Sequence, residues 1–348
     1  MLLSKKAQSV KEYVAGEQIN AGYIKLNSNE NPYPPTKAVL KAIKKTQKLN
    51  FYPSPKADDL RKALGEMYDI NPDNIFVGNG SDEILGLAYM TFFDPKEKDI
   101  VFPDITYSFY PVWAELYDIN YRTIPVKDDF TIDAGDYLNL PDCQGVILAN
   151  PNAPTSLELG FQEMQKIVEA NQNKVIIIDE AYVNFGTFSC LELAKKYDNV
   201  LIVRTFSKAY SLAGLRCGFA IGNAELIKGL EKIRDCFNSY TIDRAAQAGA
   251  LAAVKDFKNI KKNIDKVIAT RDRCVKALRE MGYKVFDSKT NFIFLTKQGL
   301  DARALMLKLK EKKFLVRHFN LPRIDNYLRI TVGTDEQMDK LLEELGKN

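Results

Sequence analysis

The chain reads as an α/β protein, with a mostly parallel, doubly wound sheet in a large domain and a smaller α+β domain after it. Three observations predict this. Its 348 residues exceed one compact core of ordinary size, so about two domains are expected. From about residue 75 to 235, short apolar runs alternate with amphipathic segments of helical period. Beyond about residue 240 the pattern changes to a long charged helix and then to short strands interleaved with helices.

The elements follow in order. The start, MLLSKKAQSVKEY, lacks the long apolar core and small-residue cleavage site of a secretory leader. Proline-rich NENPYPPT predicts an irregular arm, because proline removes a backbone donor and fixes φ. Six strands are expected at NIFVG, DIVFP, QGVILAN, KVIIIDE, NVLIVRT and CGFAIG. Their near-continuous β-branched character marks strands covered on both faces, as helices cover a parallel sheet. GFQEMQKIVEA and SCLELAKKYD are the amphipathic covers. RAAQAGALAAVKDFKNIKKNIDKVIATRDRCVKALREMG is expected as one long helix stopped at Gly282. YKVFD, NFIFLT, FLVRHF and YLRITVG are short strands, and DARALMLKLKEKK and DEQMDKLLEELGK are helices. The expected division is an arm over 1–35, a large domain over 36–238 and a small domain over 239–348.

Composition removes several classes of function. Net charge is +4 with both signs spread along the chain, and no basic block marks a nucleic-acid surface. The five cysteines, Cys143, Cys190, Cys217, Cys236 and Cys274, are odd in number, scattered and without a C-x-x-C pair. That pattern argues for a reducing, cytoplasmic compartment and against a zinc site. No apolar run reaches the ~20 residues of a membrane span. A single histidine, His318, rules out a multi-histidine metal centre and leaves a hydrolase triad one residue to use. It is expected at a strand end.

Three stretches carry chemistry, each just after a strand, where doubly wound sheets bind ligands. In VGNGSDEILGLAYM, Gly78 and Gly80 permit a tight turn, and Ser81 or Asp82 can cap the next helix. Free amides there suit a phosphate, although a glycine followed by Ser-Asp is also an ordinary helix start. The segment has neither the lysine of a triphosphate loop nor a full G-x-G-x-x-G, which removes the case for a nucleotide-binding module. In KVIIIDEAYVNF, Asp179 emerges from an apolar strand and needs a partner: an ion pair, a helix cap or the protonated ring nitrogen of a cofactor. Tyr182 stands three residues on. In TFSKAYSLAGLRCGF, Lys208 follows Thr205 and Ser207, and Arg216 can fork onto a phosphate. A lysine shielded from water and beside cationic groups becomes a nucleophile toward an aldehyde. Taken singly, each residue has a structural reading. Together they describe pyridoxal 5′-phosphate held as a Schiff base.

At this point the sequence resembles the pyridoxal-phosphate enzymes of fold type I, specifically the class II aminotransferases. NENPY, GNGSDE, NPNAPT, DEAY, SKAYSLAGLR and LRITVG occur in that family's order over essentially the whole chain. Within the class, the short length, the KLNSNENPYPP arm, FYPSP and PDITYSFYP are most similar to the histidinol-phosphate aminotransferases. The resemblance implies that Lys208 bonds the cofactor and moves the substrate proton, and that Asp179 keeps the ring nitrogen protonated. It implies that Tyr182 bonds the ring oxygen, that Tyr107 stacks on the ring, and that Ser81, Asp82, Ser207 and Arg216 hold the phosphate. Tyr52 would reach the cofactor phosphate of a neighbouring subunit, which requires a homodimer with shared active sites. Asn29, Arg317 and Arg329 would bound the substrate site, for a phosphorylated amine and for glutamate or 2-oxoglutarate. The chain departs from the pattern at Asn152-Ala153-Pro154-Thr155-Ser156, where the family carries asparagine directly before Pro-Thr. Either Asn152 swings in to hold the ring oxygen, the reading favoured from sequence, or Tyr182 does so alone. The alternatives within the fold are transfer or decarboxylation of another small phosphorylated amine, or aromatic amino-acid transfer.

Overall fold

A computed structural model describes residues 2–18 and 22–347. Seven strands form its central sheet: β2 Ile75–Gly78, β3 Ile100–Pro103, β4 Tyr121–Ile124, β5 Gly145–Ala149, β6 Val175–Asp179, β7 Val200–Thr205 and β8 Gly218–Gly222, numbered after a short arm strand, β1 Ile24–Lys25. All six runs picked out by their apolar residues are strands of this sheet. The seventh, β4, escaped notice because YRTI has no apolar run: it is one of the two edge strands, and its side chains alternate between exposed and half-buried.

The spatial order is β2-β8-β7-β6-β5-β3-β4. After β3 the chain moves outward to β4, then returns to lay β5 on the other side of β3 before continuing to β6 and β7. Such a reversal opens a crevice at the carboxyl ends of the strands. Only β8 runs opposite to the other six strands. Its direction matters, because residues that precede β8 reach the same edge as residues that follow β6 and β7. Lys208 and Arg216 therefore meet at one end of the sheet.

Beyond the sheet, the segment expected as a single helix is two, Arg244–Lys255 and Phe257–Glu280, broken at Asp256. The first packs on helices Lys37–Lys44 and Asp58–Tyr68, and the second on the last helix, Asp335–Gly346. One straight rod cannot present both apolar stripes to two bodies, so the chain turns between them. Gly282, at φ +82°, stops the second helix as expected. The second sheet contains β9 Lys284–Val285, β10 Phe292–Thr296, β12 Arg317–His318 and β13 Leu328–Thr331, in the order β12-β13-β10-β9. FLVRHF is split: β11 Phe314–Leu315 pairs in parallel with β1. That pairing docks the otherwise irregular NENPYPPT arm over the end of the large sheet.

Candidate active site

A cleft of about 1150 Å³, counting its open mouth, lies at the carboxyl ends of the strands. Its walls carry Ser81, Asp82, Tyr107, Asp179, Tyr182, Ser207, Lys208, Arg216, Asn29, Arg317 and Arg329, together with Thr205. Eleven of the thirteen site residues expected from the sequence are thus brought to one place, and Asn152 and Tyr52 are not.

The floor is built from strand ends. Asp179 is the last residue of β6, and strand alternation sends it to one face of the sheet and Glu180 to the other. Glu180 is neutralised there by Arg204 at 2.7 Å. Among the described residues, Asp179 has no such cation. Its Oδ1 accepts from the Ala181 amide at 3.1 Å and its Oδ2 from the Tyr110 hydroxyl at 3.1 Å. Burial pushes its pKa up to about 6 in spite of those two bonds. Lys208 stands three residues past β7, and its Nζ donates to the Ser28 carbonyl at 3.2 Å. Burial, and then the nearby Arg329 charge, bring its pKa down to about 8. Tyr107 donates to Asp82 Oδ1 at 2.9 Å.

The anion seat lies beside this floor. The helix Gly80–Phe92 begins earlier than the sequence suggested. Ser81 and Asp82 fall inside its first turn, and Glu83 reaches back to accept from the Asn79 amide at 2.6 Å. Freed from capping, the Asp82 carboxylate pairs with Arg216 at 3.2 Å. Arg216 also donates to Ser207 Oγ at 3.3 Å. Close approach here depends on two glycines: a Cβ on Gly80, whose φ is +81°, would lie 2.7 Å from Arg216 Nη2, and one on Gly218 would lie 2.7 Å from the Ser81 amide.

The roof comes from the arm and the second sheet. Asn29 donates its amide to Tyr182 Oη at 2.8 Å and accepts from Thr331 Oγ1 at 3.1 Å. Burial raises the Tyr182 phenol above its ordinary pKa, opposed by Arg329 and by the Asn29 bond. Arg317 and Arg329 sit directly opposite each other on β12 and β13. Like charges in that register repel. Arg329 donates to the Asn27 carbonyl at 3.0 Å, while its buried Nε has no partner among the described residues. An anion between the two guanidiniums relieves both problems.

One expectation is corrected. Asn152 does not reach the cleft: its amide donates to the Ile105 carbonyl and Thr155 Oγ1 and accepts from Thr106 Oγ1 at 2.7 Å. It is 2% exposed, and its side chain fastens the loop, leaving Ala153 on the cleft wall. Tyr52 is 76% exposed on this chain's surface, stacked on Tyr240 with ring centroids 4.3 Å apart. His318 is in β12, where its Nε2 meets the Asp325 carbonyl at 2.6 Å. The sequence reading missed Tyr13, Gly16 and Glu30, which also line the cleft. Tyr13 stacks on Phe109 at 4.6 Å, and only the spatial return of the N-terminal segment reveals it.

Residues 21–345 match the family model of aminotransferases of class I and II. The chain belongs to that family. As a member it is 50% identical over 347 residues to the histidinol-phosphate aminotransferase of Brachyspira hyodysenteriae, with 99% of this chain and 97% of that one covered. It is 47% identical to the protein of the same name from Clostridium botulinum strain Okra, covering 98% and 96%. Among solved structures it resembles the Sinorhizobium meliloti histidinol-phosphate aminotransferase in complex with pyridoxal-5′-phosphate, with a TM-score of 0.89, 25% identity and coverage of 99% and 97%. An aspartate aminotransferase from Thermus thermophilus has a TM-score of 0.85 at 18% identity, so this aminotransferase fold by itself does not select a substrate.

Proposed function

We propose that this aminotransferase exchanges an amino group between histidinol phosphate and 2-oxoglutarate, giving imidazole-acetol phosphate and glutamate as a step of histidine biosynthesis, with pyridoxal 5′-phosphate as cofactor. The observation that carries the reading is the cleft that pairs a low-pKa lysine and a buried, cation-free carboxylate with two opposed arginines, in a chain half-identical over its length to relatives of that name.

The residues fit the cofactor. A carboxylate buried without a cation, with its pKa raised to about 6, suits a protonated ring nitrogen. The glycine-lined seat, with the Ser81 and Asp82 amides, Ser207 and Arg216, suits a phosphate. Tyr182 is the phenol for the ring oxygen, with Asn29 holding its hydroxyl and Ala153 contributing no polar group. Bound there, the cofactor supplies the electron sink that amino transfer requires.

The chain's own groups do the rest. Lys208, neutral in a large fraction of molecules near its pKa of about 8, would be both the amine available to the cofactor's aldehyde and the base that moves the α-proton. Arg329 binds the carboxylate of glutamate or, in the other half-reaction, the phosphate of the phosphorylated amine, and Arg317 is the second clamp on that phosphate. Both anionic ends occupy one seat in turn, because among the described residues Arg317 and Arg329 are the arginines of the cleft outside the phosphate seat of Arg216. We place Tyr52 of the partner subunit on the cofactor phosphate of a homodimer. Its exposure, its stacking on Tyr240 and the Arg244 bonds to the Phe51 and Tyr52 carbonyls at 3.0 and 2.6 Å support a preformed projection. The scattered, unpaired cysteines support a cytoplasmic location.

The test is substrate competition. With 2-oxoglutarate fixed, histidinol phosphate should give a kcat/KM for glutamate formation well above that of phenylalanine, tyrosine or another phosphorylated amine. A higher value for one of those, or release of carbon dioxide from a phosphorylated amino acid, would overturn the assignment.

A further inference from the structure

We propose that Tyr110 is a positioning residue for Asp179: its buried hydroxyl fixes the plane of that carboxylate and so sets the grip of the site on the cofactor ring nitrogen. The inference rests on the cofactor reading above. Tyr110 is fully buried, and its hydroxyl donates to Asp179 Oδ2 at 3.1 Å. The other oxygen, Oδ1, takes the Ala181 amide from the turn that follows its own strand. A carboxylate on an aspartate turns easily about χ2. Two donors from different elements, 69 residues apart in the Tyr110 case, remove that freedom.

Three further observations support the assignment. Asp82 and Glu180 both add negative charge around Asp179, so the Tyr110 hydroxyl and the Ala181 amide are the groups that oppose its burial. Tyr107, three residues earlier, meets the Tyr110 ring edge-on, with centroids 5.7 Å apart at 89°. The ring expected to cover the cofactor face and the hydroxyl that holds the carboxylate thus belong to one packed unit. Tyr89 supplies the contrast. It is as deeply buried in the same aromatic cluster, yet its hydroxyl has no partner among the described residues.

The test uses Tyr110→Phe, which keeps the ring, with Tyr89→Phe as the control for removing a buried hydroxyl. Apo proteins are titrated with pyridoxal 5′-phosphate by fluorescence and visible absorption from pH 5.5 to 8.5. Tyr110→Phe is expected to weaken cofactor affinity about tenfold or more, and to move the acid limb of that affinity to higher pH. Tyr89→Phe is expected to match wild type in both. Asp179→Asn lacks the acceptor charge, so adding Tyr110→Phe to it should weaken binding much less than tenfold. Wild-type affinity and pH profile in a folded Tyr110→Phe would overturn the inference. So would an undiminished tenfold loss in the Asp179→Asn background, which would make Tyr110 a packing residue only, and that arm still decides if the single variant folds poorly. If wild type itself takes up no cofactor, the cofactor reading fails instead.

Discussion

The floor and the roof of the cleft are built in different ways. On the floor, Asp179 ends an apolar strand and Lys208 stands three residues past one, so one local pattern produces both the strand and the position of its functional end. On the roof, Asn29 meets Thr331 across 302 residues of chain, and Arg329 meets Arg317 only through β-sheet register. The floor is rigid because parallel strands buried on both faces hold it. The roof is assembled from an irregular arm, two two-residue strands and the edge of a small sheet. The proposed function divides its tasks along this line: it assigns the chemistry common to every substrate to the floor and the choice among substrates to the roof.

The largest effect that would test this division is expected at Lys208. Lys208→Ala should lower turnover by at least about 10³-fold with every amino donor, since one group serves as nucleophile and as proton carrier. Steady-state kinetics with glutamate and with histidinol phosphate check that both fall together. Next come the roof arginines. Arg317→Gln should raise KM for histidinol phosphate by about ten- to a hundredfold while leaving the glutamate half-reaction within about threefold, because it loses a charge-assisted bond to one substrate only. Equal losses in the two half-reactions would blur the division.

Asp179→Asn sharpens it from the stability side. The folded pKa of Asp179, about 6, lies above its ordinary 3.8 because the site disfavours the charge. The resulting cost is absent below about pH 4 and complete above about pH 6, where it amounts to about 3 kcal/mol. Apo Asp179→Asn should therefore unfold at higher denaturant than apo wild type at pH 7, converge with it near pH 4, and bind cofactor far more weakly. Denaturant titrations at the two pH values check the sign. The smallest effect expected concerns rate: cofactor uptake by the apo protein should accelerate with pH and level off above about 8, as Lys208 loses its proton. Stopped-flow uptake still climbing steeply at pH 10 would mean an ordinary exposed amine.

The same contrast explains what was legible in the sequence. Six of seven sheet strands stood out because β-branched runs buried on both faces leave no polar break. The edge strand β4 did not, since an edge tolerates YRTI. The break at Asp256 was hidden because helical periodicity records which residues are apolar, not which body they face. The departure at Ala153 pointed to Asn152, yet that amide is consumed by Ile105 and Thr106 of the segment after β3 and by Thr155 of its own loop, which no spacing rule encodes. Tyr110 lay within ITYSFYP, but its hydrogen bond to Asp179 depends on how a helix start sits over the sheet.

The most direct measurement is a spectral titration of the purified, cofactor-loaded enzyme with histidinol phosphate and no keto acid. A visible cofactor band should bleach at low histidinol phosphate and return on adding 2-oxoglutarate, with glutamate formed in step. A band that bleaches with glutamate but ignores histidinol phosphate would contradict the substrate assignment, and a protein that takes up no cofactor would contradict the floor itself.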